Sequence, residues 1–397
     1  MSSTAPKPLE TQDMLLNMGP QHPSTHGVLR LMIRTDGEMV SEVTPVVGYL
    51  HRCAEKIGEN LRYEQFVPYT DRMDYLSSMS DNLGFCLAVE RLMTVEIPPR
   101  AQAIRVIMAE LNRVASHLLA FGTYGLDIGA FTPFLYAFRE REMILNMFEY
   151  VCGARLTYNY VKVGGVMRDV DKKFAEMVNN FLAIFDDRLK DYNDLLSGNQ
   201  IFRERTLGLG VISAEKALDW GLTGPNLRAA GVDYDVRVMN PYSSYEDFEF
   251  DIPVGTSGDT YDRFMVRQEE IWQSLRIINQ ALDNLPEGPF HADAPHYYLP
   301  PKQAVYRNME ALIYHFKIIM GEIEAPVGEV YHSVEGGNGE LGFYLISDGG
   351  RTPYRLHFRR PCFIYYQAYP EMVVGSSLSD AIVTLSSMNV IAGELDA

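Results

Sequence analysis

From Ala101 to Phe121 the chain is apolar enough for a core helix, yet it carries Arg105, Glu110, Arg113 and His117. Ile107, Leu111, Val114 and Leu118 fall at spacings of four, three and four after the breaker Pro98-Pro99, the period of a helix that buries one face. A membrane-spanning helix needs roughly 20 uninterrupted apolar residues. Since even this run is interrupted by ionisable groups, no segment is expected to cross a bilayer, and any membrane association must come through other subunits.

Similar stripes recur. Phe174, Met177, Phe181, Ile184, Leu189 and Tyr192 predict a helix ending near Ser197-Gly198, and Ile271, Leu275, Ile278 and Leu282 predict another before Pro286. A further helix is expected at about 302–319. The ends of the chain read differently. Val28 to Arg34 alternates, and Asp36-Gly37 supplies a hairpin turn before Met39 to Val43. Near the other end, Leu341 to Ser347 and Pro353 to Phe358 flank Asp348-Gly349-Gly350 as a second hairpin. Tyr242 to Val254 interleaves aromatics with Glu246, Asp247, Glu249 and Asp251, which suits a half-exposed strand or an irregular excursion with a solvated acidic face. The expected class is α+β and mainly helical, a central helical bundle with small antiparallel sheets near both ends. Residues 1–51 form the first β region, 52–320 the helical core and 321–397 a closing α+β region. With no fixed-period repeat and no flexible linker, one compact unit is expected.

Composition narrows the partners. A formal charge of −17 over 397 residues repels nucleic acid phosphates and anionic lipid heads. Met1 to Gly19 has the pattern of neither a secretory signal nor a transit peptide, which points to the cytoplasm. Cys53, Cys86, Cys152 and Cys362 are far apart with no CxxC pair, so they are read as buried thiols rather than ligands of zinc or an iron–sulfur cluster.

Individual motifs have ordinary readings. Gly337-Asn-Gly339-Glu-Leu-Gly342 matches GxGxxG, but a dinucleotide loop must lead into a helix and Phe343-Tyr-Leu-Ile reads as strand. His22-Pro-Ser-Thr-His26-Gly27 sets two imidazoles four apart, where Pro23 favours a turn that need not aim both at one metal. Such a turn can instead direct His26 into a cleft as a proton donor. Tyr69-Thr-Asp-Arg72-Met-Asp74-Tyr75 is either a capping cluster at a helix entrance or part of a site. Arg139-Glu140-Arg141-Glu142 is read as surface ion pairs.

Together these segments resemble the large-subunit family of respiratory complex I, the 49 kDa or D type. The likeness runs along nearly the whole chain: Gly19 to Gly27, Gly48-Tyr-Leu-His-Arg52, Arg72-Met-Asp-Tyr75, Pro99-Arg100, Ala115-Ser-His-Leu118, Asp127-Ile-Gly-Ala130, Thr132-Pro-Phe134, Phe138 to Glu142, Gly164-Gly-Val166 and Ser347-Asp-Gly349. The resemblance implies a fold like the large subunit of nickel-iron hydrogenases, whose metal is held by a CxxC near each end. Here the corresponding places are Gly48 to Lys56, with one cysteine, and Gly393-Glu-Leu-Asp-Ala397, so no thiolate cage forms and hydrogenase activity is not expected.

The family likeness further implies a proton-translocating NADH:quinone oxidoreductase, peripheral on the cytoplasmic side of the cell membrane. The quinone is its substrate, menaquinone or ubiquinone, and this chain binds no cofactor alone. Its headgroup is expected in a cavity shared with the partner that carries the terminal iron–sulfur cluster. The surroundings are completed by a C-like neighbour and by the membrane subunit that forms the quinone channel. Carried over by motif, His26 and Tyr75 hold the headgroup and Asp127 orients His26. His22, Arg52 and Arg72 lie near the cluster or the cavity, with ion pairing to Asp74 or to other carboxylates of the family as the ordinary reading of the arginines.

Two departures stand out. Many relatives have a histidine where this chain has Thr157 or Tyr158, and its lack suggests a lower-potential cluster suited to menaquinone. Many also end in arginine where this chain has Ala397. The rival readings are the same role with ferredoxin or another donor, and a scaffold without chemistry.

Overall fold

A computed structural model describes residues 12–25, 27–293, 297, 299–321 and 324–397. The first sheet has order β1 (Asp13–Met18), β2 (Arg30–Asp36), β3 (Met39–Val46), all antiparallel. The predicted hairpin is present, two residues later than expected at its start. The leading strand β1 was not expected, because Asp13–Met18 is largely exposed and lacks alternation. Leu29, Leu31 and Ile33 are buried, so the alternation did identify the inner face.

The helical body begins with α1 (Ala54–Gly58), α2 (Tyr63–Thr70) and α3 (Ser78–Met93). Next comes α4 (Pro99–Asp127), with Pro99 in its first turn, where no N–H partner is lost. After α5 (Phe131–Cys152), a two-residue hairpin pairs β4 (Val161–Lys162) with β5 (Gly165–Val166). Gly165 has to be glycine there, since a Cβ would sit 2.4 Å from the Phe290 carbonyl oxygen. Then α6 (Lys172–Tyr192) is capped by the Asp171 carboxylate, which accepts from Phe174 N at 2.9 Å, and it runs into a π-helical turn at Asn193–Ser197.

Four short helices follow: α7 (Gln200–Thr206), α8 (Ala214–Asp219), α9 (Pro225–Ala229) and α10 (Val236–Met239). The acidic-aromatic stretch Tyr242 to Val254 is the irregular excursion, with a 3-10 turn at Tyr245–Asp247 that buries Tyr242 and Tyr245 and exposes Glu246 and Asp247. Long α11 (Thr260–Asp283) packs on α4. The helix expected at about 302–319 is two, α12 (Lys302–Val305) and α13 (Met309–Ile319), because Asn308 caps a new start.

The second sheet has order β6 (Gly328–Glu335), β7 (Glu340–Ser347), β8 (Arg355–Arg359). Its GxGxxG segment is the turn between β6 and β7 and the start of β7, with no helix after it. The chain closes with α14 (Pro361–Val373), α15 (Leu378–Met388) and α16 (Ala392–Leu395). Helices thus dominate between two small antiparallel sheets, the α+β class expected. Among the described residues no helix is long and apolar enough to cross a membrane.

The interior is unusually ionic. Arg105, Glu110, Arg113 and His117, the groups that interrupt the apolar run, are all buried. Arg105 pairs with Glu90 of α3 at 2.6 Å and bonds the Gly165 carbonyl. Glu110 meets Arg113 at 3.2 Å and Arg237 at 3.2 Å, and accepts from the Tyr245 hydroxyl at 2.6 Å. His117 reaches Glu270 of α11 at 2.8 Å, and Arg228 binds Glu270 at 2.6 Å and Glu335 at 2.9 Å. Burial alone would raise the Glu110 carboxyl, but Arg113 and Arg237 outweigh it and hold it at about 2. Glu140, expected on the surface, is buried and held by Arg139 at 2.7 Å and the Tyr192 hydroxyl at 2.6 Å. Of the thiols expected inside, Cys86 and Cys362 are buried, Cys152 is half-buried and Cys53 is exposed.

Removing one member of such a chain leaves its partners charged and dry. Arg228→Met is therefore expected to cost about 3–5 kcal/mol, read as a lower denaturant midpoint, while Arg276→Met, whose Asp251 partner is exposed, should cost under about 1 kcal/mol.

Candidate functional site

The segment from Ser386 to Ala397 is almost wholly buried and gathers residues from distant parts of the chain. Asp396 clamps the Gly48–His51 turn: its carboxylate accepts from Gly48 N at 2.9 Å and Leu50 N at 2.8 Å, and its carbonyl lies 3.0 Å from His51 Nδ1. The two places that the family resemblance assigns to metal-binding cysteine pairs are thus adjacent, and a carboxylate with backbone N–H groups joins them. Among the described residues no group of three or more His, Cys, Asp or Glu side chains is arranged to hold a metal ion. Arg360, the residue before α14, donates to the Ala397 carbonyl at 2.5 Å and to Leu395 O at 3.3 Å, so a guanidinium reaches the place where the family resemblance puts an arginine.

Tyr75 lies half-buried against this segment. A Cβ on Gly393 would meet the Tyr75 ring at 3.2 Å and Met73 O at 2.7 Å, so the missing side chain is what allows the approach. Burial, and after it the charge of Asp74, raises the Tyr75 phenol, which keeps it protonated and able to donate.

Behind Tyr75 is a set of buried carboxyls that motif reading did not assign a role. Asn338 Nδ2 donates to Asp74 at 3.0 Å and to Glu394 at 3.4 Å, and the Cys362 thiol donates to Glu394 at 2.8 Å. Burial and the nearby Glu394 push Asp74 up to about 7, and burial likewise raises Glu394 and Asp81. The Asp74 carboxylate also accepts from Leu76 N and Ser77 N, so the Tyr69–Tyr75 segment does stabilise a turn, between α2 and α3 rather than at a helix N-cap. Acidic residues inside apolar sequence, such as Glu394 between Ile391 and Leu395, were the available signal for this cluster.

Asp127 ends α4 and accepts a 2.7 Å hydrogen bond from the Ser386 hydroxyl of α15. His26 lies outside the described residues. Of its neighbours, Thr25 is buried with its hydroxyl on His22 O at 2.8 Å, and a Cβ on Gly27 would lie 3.5 Å from that of Ala392. Ser386, Ala392 and Gly393 therefore meet Asp127, Gly27 and Tyr75 in turn. His22 itself is exposed just before the 3-10 turn Pro23–Thr25, its Nδ1 accepting from Ser24 N at 3.2 Å.

Arg52 and Arg72 come together at the surface. Arg52 donates to the Arg72 carbonyl and Arg72 to the Pro68 carbonyl. The carboxylate near Arg72 is Asp71, at 3.7 Å, and not Asp74. Burial and the neighbouring Arg72 lower Arg52. Arg52 has no carboxylate in pairing range among the described residues, and it lies half-buried beside the exposed Arg72. Asp71 also holds Asn159 N at 3.1 Å, beside the stretch where the family resemblance puts a histidine; here Thr157 takes a left-handed φ of 52° and Tyr158 is buried on Phe148.

Comparison with known proteins adds the following. The family described as "Respiratory-chain NADH dehydrogenase, 49 Kd subunit" matches residues 127–397. A protein from Flavobacterium psychrophilum, named as the D-type NADH-quinone oxidoreductase subunit, is 59% identical over 384 residues, 96% of this chain and 93% of that one. Like-named proteins are 50% identical over 390 residues in Leptospira biflexa, covering 98% of this chain and 96% of theirs, and 51% identical over 386 residues in Geobacter sulfurreducens, covering 97% and 99%.

The buried carboxyls make a pH prediction. Asp74 has a folded value of about 7, above its ordinary 3.8, so the stability it permits is full below about pH 4 and is lost as pH rises through about 7. Glu394→Gln keeps an oxygen to accept from Cys362 N and removes one of the two charges. The fall in unfolding midpoint between pH 5 and pH 8 should then be smaller than in the unaltered chain, and an equal fall would show that the two carboxyls do not interact.

Proposed function

This chain belongs to the 49 kDa subunit family of the respiratory-chain NADH dehydrogenase, and from that premise we propose that it forms the quinone-reducing half of a cavity in the assembled enzyme. As a member it is a subunit of NADH-quinone oxidoreductase, working with the other subunits of that complex. The observation that carries the finer reading is the convergence of Asp127, Tyr75 and the Gly27 flank of His26 on Ser386 to Gly393.

Reduction of a quinone adds two electrons and two protons and converts two carbonyls to hydroxyls. Each oxygen gains negative charge before it is protonated, so a donor at each end lowers the barrier. In this reading the Tyr75 hydroxyl donates to one oxygen and His26 to the other. Asp127 favours the charged form of His26 and orients it. Once His26 has given up its proton, Asp127 loses a cationic neighbour, and the resulting electrostatic imbalance is the first step by which quinone chemistry drives proton translocation in the membrane part.

The quinone is the substrate and comes from a membrane subunit that forms its channel. The iron–sulfur cluster that supplies the electrons belongs to a neighbouring subunit, facing Arg52 and Arg72, and His22 lies at the same rim. Fixed positive charge there stabilises a reduced cluster. A C-like neighbour completes the contacts, and the assembly sits on the cytoplasmic face of the membrane. Thr157 and Tyr158 stand where the family resemblance puts a histidine beside the cluster, and the lack of that imidazole fits a low-potential acceptor such as menaquinone. The names of the relatives favour NADH over ferredoxin as the electron source.

Tyr75→Phe removes one hydroxyl and little volume. In membranes with the complex assembled, quinone reductase turnover should fall about a hundredfold. Unchanged turnover would mean that Tyr75 only packs against Gly393 and that the donor must be sought elsewhere.

A further inference from the structure

A small, partly enclosed space lies between α4, α11 and α15, away from Tyr75 and with room for about one water molecule. His117, Phe121, Tyr124, Arg267, Ser386 and Ser387 are among the residues that line it. His117 Nδ1, Arg267 Nε and the Tyr124 hydroxyl are buried with no hydrogen-bond partner among the described residues. Three buried orphans on the wall of one space need a common ligand, because each left unmade costs free energy.

The protonation pattern defines that ligand. Burial would raise the Glu270 carboxyl, but Arg228 and then His117 outweigh this and keep it ionised. Burial lowers His117, so its imidazole is neutral. The 2.8 Å contact to Glu270 therefore places the imidazole proton on Nε2 and leaves Nδ1 as an acceptor. Arg267 Nε–H is a donor. The rest of its guanidinium donates to Arg263 O at 3.2 Å, Ser387 O at 2.6 Å, Met388 O at 3.1 Å and Asn226 Oδ1 at 3.4 Å, and no carboxylate pairs with it among the described residues. Ser386 spends its proton on Asp127 at 2.7 Å, and its oxygen can still accept. A single molecule that donates twice, to His117 Nδ1 and Ser386 Oγ, and accepts from Arg267 Nε–H keeps a second lone pair to accept from the Tyr124 hydroxyl, which is what a buried water offers.

We propose that this space is a resident water site that joins Asp127, through Ser386, to His117 and the buried Glu270–Arg228 chain, making Ser386 and His117 positioning residues for Asp127. The water accepts from Arg267 Nε–H and donates to His117 Nδ1 and Ser386 Oγ. The unpaired Arg267 cation is thereby connected to the Asp127 carboxylate, which fixes the orientation of that carboxylate at the end of α4. The positioning role rests on the assignment of Asp127 to the quinone site; the water site does not.

The test uses the assembled complex. Ser386→Ala should lower kcat for quinone reduction about tenfold with the quinone KM unchanged, the loss of one hydrogen bond to a charged group. His117→Gln keeps a donor to Glu270 and removes the Nδ1 acceptor, and the same split is expected. Neither change should lower turnover further in an Asp127→Asn background. Full turnover of Ser386→Ala, or losses that multiply with Asp127→Asn, would overturn the positioning role. A high-resolution density map of the unaltered complex should show a peak within hydrogen-bond distance of His117 Nδ1, Arg267 Nε and Ser386 Oγ. Its absence would overturn the water site even if the variants failed to assemble. Full turnover of Asp127→Asn would instead remove Asp127 from the quinone site and with it the positioning role, while a density peak would still establish the water.

Discussion

Ionisable side chains buried on one helix set the constraints for the rest of the molecule. Arg105, Glu110, Arg113 and His117 of α4 cannot be left dry and unpaired, and their partners come from different elements: Glu90 on α3, Arg237 on α10, the carbonyls of Glu335 and Gly336 at the end of β6, and Glu270 on α11. Apolar packing tolerates small slips. A bidentate guanidinium–carboxylate contact does not, since its strength depends on direction and distance. These pairs therefore fix the register of α4 against its neighbours, and Asp127 inherits that position as the last residue of the helix.

The far end of the chain meets this frame from the other side. Residues 386–397 cross the end of α4, the turn before α3 and the Gly48 turn, and each crossing uses a different device. Ser386 hydrogen-bonds Asp127, Gly393 gives room for Tyr75, and Asp396 caps three groups of the Gly48–His51 turn. Placing half-neutral carboxyls such as Asp74 beside Tyr75 stores protons next to a proton donor, at a cost in stability above neutral pH.

Motif reading named Tyr75, Asp127, Arg52 and Arg72, and the structure brings Tyr75 and Asp127 to one segment and the two arginines to one another. It gave no role to Glu394, Asn338, Ser386 or Arg267. Serine and asparagine are common in turns and caps, and nothing within ten residues of Ser386 marks it as the partner of a carboxylate 259 residues earlier. Arg105, Glu110 and Arg113 read in the sequence as obstacles to membrane insertion, and His117 also as part of a family motif, although a charge at every third to fifth position of an apolar helix is also the mark of a paired interior.

The sequence by itself determined the helical stripes, both hairpins and the family, because each is written in local spacing: period 3.6 or 2 in apolar residues, Gly and Pro at turns, and ordered short motifs. It missed β1, β6 and the short pair β4–β5, whose strands are defined by their neighbours more than by their own alternation. Only the tertiary structure decided which charge meets which, where the Gly48 turn and Asp396 join across 348 residues, and which polar atoms share a space with room for water. Those choices depend on complementarity between distant surfaces, which no local pattern encodes.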